Sequence, residues 1–235
     1  MTRQFSTPLT ELPGFLSTIS MVVDDGSEIV RSLIAAERKS PPVYDPARDL
    51  FCVVLEGKLS FENAMRQARA LIDETERACA IEILEASEVF LRKQLPAPVG
   101  VFPSKDYHLH NGLTLDVSPL WHRRTAPERL MVLHFWRKPL SDWQLSAAGA
   151  VIRTALTYHQ PQYLACELDF ISVPFPEGGT RRRFDQYNWA KIKPLSDVDL
   201  KRFWKQFLAA WTVYHRKEPR VIRRRREPNM FDSLR

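Results

Sequence analysis

The chain has 235 residues, 44% hydrophobic and 26% charged, with a net charge of +6, the composition of an ordinary soluble globular protein. Its eight glycines form neither GxGxxG nor GxxxxGK[ST], which excludes a Rossmann fingerprint and a P-loop. Three widely spaced cysteines (Cys52, Cys79 and Cys166) make neither a disulfide framework nor a CxxC knuckle, and suit a reducing cytoplasm.

The N-terminus lacks the basic start and unbroken apolar core of a signal peptide, and no apolar run approaches the roughly 18 residues of a bilayer span. A cytoplasmic protein without a membrane partner is expected. DDGSEIVRSLIAAERKS predicts a helix with an apolar stripe at Ile29, Leu33 and Ile34. SPPVYDPARD is a proline-rich loop, and RDLFCVVLEGK is a strand or a buried helical turn ending at Gly57. From Ser60, a good N-cap, SFENAMRQARALIDETERACAIEILEASEVFLRKQL predicts one long helix, or two joined near Ile72. Its expected apolar face is Leu71, Ala78, Ile81, Leu84, Leu91 and Leu95. PAPVGVFP stops it.

The texture then changes. YHLHNGLTLDVSPLW holds Asn111-Gly112, a hairpin signal between alternating residues. RLMVLHFW is a further strand. LSDWQLSAAGAVIRTALTYH is a helix whose Ser141 and Gln144 have capping-box spacing. YLACELDFISVPF is another strand, PEGGTRRRF a loop, and LSDVDLKRFWKQFLAAWTVYH a final helix burying Leu200, Phe203, Phe207, Trp211 and Tyr214. The expected fold class is α/β: a small mixed sheet flanked by helices. Residues 1–97 form a helical region whose last helix packs on the core, residues 98–215 the α/β core with its closing helix, and residues 216–235 a basic tail.

Helix, three meandering strands, helix, strand, over roughly residues 73 to 174, resembles the PD-(D/E)xK nuclease superfamily, and the centre resembles its RecB-like branch. The resemblance implies a restriction-endonuclease-like core. It implies Asp116 in LTLDVSP as the second-strand acid, Gln144 in SDWQLS as the helix glutamine, and Glu85 or Glu88 as the first-helix glutamate. Where the family carries acid-x-lysine, this chain has His134-Phe135-Trp136, with Lys138 two residues further on. The implied metal set is Asp116, His134 and Glu88, holding Mg²⁺ or Mn²⁺ if the centre cuts, with Lys138 near the phosphate. Imidazole suits transition metals better than Mg²⁺. The expectation is therefore a degraded centre in a nucleic-acid-binding accessory protein. An active metal-dependent nuclease and a protein-interaction subunit are the alternatives.

Bland roles compete at each position: a turn for Asp116, a cap for Gln144, a hydrogen-bonded core histidine for His134 and a solvated helix face for Glu85 and Glu88. His108 and His110 share a strand face and could bind metal with Asp116 or His134. Glu167 and Asp169 share a face as paired carboxylates or as an exposed sheet surface, and Cys166 is most simply a buried strand residue.

The basic character belongs to the end of the chain. Residues 216–235 carry eight Lys/Arg against three acids, leaving about +1 for everything before them. Arg220 and the run Arg223, Arg224, Arg225 and Arg226 can neutralise phosphates, and Arg181, Arg182 and Arg183 can extend that surface. An acidic protein is the competing partner, because arginine forks also recognise carboxylates.

Overall fold

The computed structural model describes residues 12–21, 26–36, 43–103, 106–109, 113–118, 120–188 and 191–216. Five helices come first: α1 (Phe15–Ser20), α2 (Gly26–Ala36), α3 (Asp45–Leu55), α4 (Phe61–Arg69) and α5 (Glu74–Lys93). Then follow β1 (Val99–Phe102), β2 (Asp106–His108), β3 (Thr114–Asp116), β4 (Leu120–Arg123) and β5 (Arg129–His134). The chain continues as α6 (Asp142–His159), a 3-10 turn (Pro161–Ala165), β6 (Glu167–Ser172), β7 (Asp185–Asn188) and α7 (Asp197–Arg216).

Five strands make one mixed sheet in the order β1-β4-β5-β6-β7, while β2 and β3 pair only with each other. The β1-β4-β5 run is antiparallel. Helix α6 then carries the chain over to β6, which lies parallel to β5 from Arg129↔Glu167 to His134↔Ser172. Period-two alternation sorts the side chains of this sheet onto two covered faces. Leu130, Val132, Leu168 and Phe170 pack with α1, α2, α6 and α7, whereas Met131, Leu133, Ile171 and Val173 pack with α3, α4 and α5. The helical region before residue 98 is thus divided between both faces. Among the described residues no helix is long and apolar enough to cross a membrane.

RDLFCVVLEGK is helical. Ala47, Leu50, Phe51 and Leu55 are buried at helical spacing in α3. Gly57 ends that helix at φ +70, with its N–H on Val54 O and the next N–H on Val53 O. This is the Schellman arrangement that favours glycine, and a Cβ here would also lie 2.6 Å from the Pro96 ring. The long predicted helix is two. Asp73 starts α5 by accepting from the N–H groups of Thr75 and Glu76, which leaves Ile72 at the break and 98% exposed.

The buried face of α5 is Cys79, Ala80, Ile83, Leu84, Ser87 and Leu91, rotated by about one residue from the expected face. Ala78 and Leu95 are exposed. Apolar residues run from 78 to 81 without interruption, and such a run does not choose a face by itself. The capping box is present at α6: Ser141 Oγ accepts from Gln144 N–H, and Gln144 Oε1 accepts from Ser141 N–H at 2.9 Å. All five residues expected on the buried side of α7 are buried.

Candidate nucleic-acid interface

Strands β5 and β6 end side by side, and the chain segments leaving them stay tied. Val173 N–H donates to His134 O at 3.0 Å and Phe175 N–H to Arg137 O at 2.9 Å, after which Arg183 N–H returns to Pro174 O at 2.9 Å. In open α/β sheets ligands collect outside the carboxyl ends of parallel strands. Here that end carries Arg137, Lys138 and Arg181 as exposed cations, with the Arg137 guanidinium 5.3 Å from the Phe175 ring centre.

Arg182 behaves differently from its two neighbours. An extended segment alternates its side chains, so the middle of three arginines faces inward. The Arg182 side chain is fully buried. Its Nη1 donates to Phe135 O at 2.8 Å and Val173 O at 2.7 Å, and its Nε donates to Glu82 Oε2 at 3.0 Å. It therefore fastens the ends of β5 and β6 to α5 and is not part of a phosphate-contacting surface, contrary to the expectation for this residue. Arg183 is exposed but forks onto Asp185. Arg220 and Arg223 to Arg226 lie outside the described residues.

His134 is fully buried on the α6 side of the sheet, with Nδ1 2.8 Å from Ser172 Oγ and Nε2 buried without a partner. Loss of hydration, followed by the nearby charge of Arg182, lowers its pKa to about 4. The ring is neutral and sealed in.

The expected metal set does not assemble. The central meander's second strand is β4, which has no acid. Asp116 lies instead on the separate hairpin, opposite Asp106, where it is exposed and accepts from Ser118 Oγ at 2.8 Å. Glu88 is partly exposed on α5 and pairs with Arg92, which also holds Glu62. Glu85 is exposed, and the α5 acid that does reach the sheet end is Glu82, one turn earlier. Gln144 is occupied by its cap and by donating Nε2–H to Ser20 O at 2.8 Å. Lys138 is exposed beyond the end of β5.

The remaining titratable candidates lie elsewhere. His110 is outside the described residues. His108 lines a cleft of about 770 Å³ between the hairpin, α6 and α7, where its ring neighbour is His159 at 6.3 Å. Glu167 and Asp169 do share a face, but Arg129 lies between them, 2.6 Å from one carboxylate and 2.8 Å from the other. Asp169 is buried while Glu167 is 45% exposed, so this ion network runs from the covered sheet out to the surface. Among the described residues, the one group of three potential metal donors is His122, Glu128 and Cys166. Sequence spacing could not reveal it, because the three meet only through strand pairing. No family model matches the chain, and no curated protein is significantly similar to it.

Proposed function

We propose that this chain is a nucleic-acid-binding accessory protein that holds the phosphate backbone without cutting it, on a PD-(D/E)xK-like scaffold. The single observation that carries the reading is the gathering of Arg137, Lys138 and Arg181 where parallel β5 and β6 end. The element order α5-β1-β4-β5-α6-β6, with its antiparallel meander and one parallel crossover, supports the scaffold. Against cutting stand the buried, neutral His134 and an Asp116 that sits off the central sheet. Hard cations such as Mg²⁺ need convergent carboxylate oxygens, and among the described residues no such group forms at this end of the sheet. Its positive charge comes from side chains. Such groups position a backbone and read no sequence.

The test is a salt series. Binding of a labelled oligonucleotide should weaken steeply with salt, and Arg137→Glu, Lys138→Glu and Arg181→Glu together should flatten the log–log slope by about 0.7–0.9 for each phosphate no longer neutralised. An unchanged slope and affinity in the triple variant would remove this surface from the proposal.

A further inference from the structure

The opposite end of the same sheet carries a different chemistry. His122 is on β4, Glu128 precedes β5, and Cys166 precedes β6. His122 Nε2 lies 3.0 Å from Glu128 Oε2, and Cys166 Sγ lies 3.9 Å from that same oxygen. One donor atom from each residue falls within 4.8 Å of the other two. The geometry points to a divalent transition-metal site of the zinc class, with His122, Glu128 and Cys166 as its three protein ligands.

Three features favour metal over a chance meeting of side chains. The first is the donor set. One imidazole nitrogen, one thiolate sulfur and one carboxylate oxygen form a borderline-soft combination that suits Zn²⁺ or Co²⁺ and not Mg²⁺. The second is spacing. Metal–ligand distances of about 2.0–2.3 Å place tetrahedral ligands about 3.3–3.7 Å apart. The separations of 3.0 and 3.9 Å bracket that range, and the His122 and Cys166 donors lie within 4.8 Å of each other, so side-chain adjustment without backbone movement completes the site.

The third is preorganisation by the backbone. His122 faces Leu130 across the β4–β5 pairing. Glu128 O accepts from Glu167 N–H at 3.0 Å, which sets the carboxylate beside Cys166. Cys166 N–H in turn donates to Tyr163 O at 3.1 Å, and the Tyr163 ring stands edge-on to His122 at 5.3 Å. Three separate chain segments are therefore held in one place before any ion arrives.

Three protein ligands leave one position open, as in sites that exchange a ligand. His122 also lines a cleft of about 460 Å³ along the outer strand β1, together with Arg124 and Tyr163. Water or a small anion entering from that cleft is the fourth ligand, with Arg124 among the residues of the cleft wall. A cysteine nucleophile fits the arrangement less well. The group nearest to the thiol is a carboxylate, which opposes thiolate formation where an imidazole would assist it.

The test uses the full chain stripped with a chelator and titrated with Co²⁺. One equivalent should bind, producing thiolate-to-cobalt charge-transfer absorption and the visible bands of a four-coordinate ion, and Zn²⁺ should displace it. Cys166→Ser should abolish the charge-transfer band, while Glu128→Gln and His122→Gln should each weaken binding about tenfold or more. In parallel, Zn²⁺ should raise the melting temperature of the native chain but not of Cys166→Ser. His122→Gln serves as the second variant if the serine form fails to fold. No absorption at one equivalent overturns the proposal. A band that survives Cys166→Ser also overturns it, because the sulfur would then come from Cys52 or Cys79.

Discussion

Replacing Arg182 with methionine removes the guanidinium and keeps most of the stem. Two carbonyl oxygens, Phe135 O and Val173 O, lose a donor in a place water does not reach. Each orphaned buried acceptor costs about 1–3 kcal/mol. Glu82 is 42% exposed, so its carboxylate rehydrates and that half of the pair contributes about 0–1 kcal/mol. In the other direction, Nη2 is buried without a partner, and relieving a buried charge recovers part of the loss. The net expectation is a destabilisation of about 2–4 kcal/mol. Urea unfolding should show it as a lower midpoint with an unchanged slope. Glu82→Gln should lose about 1 kcal/mol or less by the same assay. A loss below about 1 kcal/mol in Arg182→Met, or a loss in Glu82→Gln as large as in the methionine variant, would refute this role for Arg182.

His134 ties stability to acid. Its folded pKa of about 4 lies below the unfolded value near 6.5, so the unfolded chain binds the extra proton between those values and stability falls as pH drops through that window. Native protein should lose about 3 kcal/mol more than His134→Gln between pH 7 and pH 4, a difference in which the shared carboxylate titrations cancel. Equal losses would mean that the ring is not held neutral. At the start of α6, Ser141→Ala should destabilise by about 1 kcal/mol through the lost cap. Gln144→Ala should cost a similar amount, because it removes bonds to Ser141 and Ser20, and it should leave nucleic-acid affinity unaltered. A change in affinity without a change in stability would return Gln144 to the binding surface. Under the metal-site proposal, Zn²⁺ should protect Cys166 from thiol alkylation, and Mg²⁺ should not.

The helices are legible where apolar spacing and capping agree. In α7 the stripe from Leu200 to Tyr214 leaves one reading, and Ser141 with Gln144 marks the start of α6 without reference to the rest of the fold. The parallel β5 and β6 are visible as apolar runs because both of their faces are covered. Strands β1 and β7 are not legible. β1 is short and sits between Pro98 and Pro103, as an edge strand can, and DQYN in β7 offers Tyr187 as its one apolar side chain. Asp116 is misplaced by pattern alone because Asn111-Gly112 and its flanks read as part of the main meander, whereas β2 and β3 pair apart from it. The RRR run looks like one basic patch until the extended backbone turns Arg182 inward and leaves Arg181 and Arg183 outside. His122, Glu128 and Cys166 are separated by up to 44 residues in the chain and meet only through the register of three strands.

The most direct measurement is one gel of the purified chain with single- and double-stranded DNA and RNA, run with Mg²⁺, with Mn²⁺ and with EDTA. Shifted, full-length bands are expected in every lane, weakened by added salt and by the Arg137, Lys138 and Arg181 charge reversals. Metal-dependent shortening of any strand would contradict the proposed function by revealing a working nuclease centre. Unshifted bands at moderate salt would contradict it by denying that this basic surface meets nucleic acid at all.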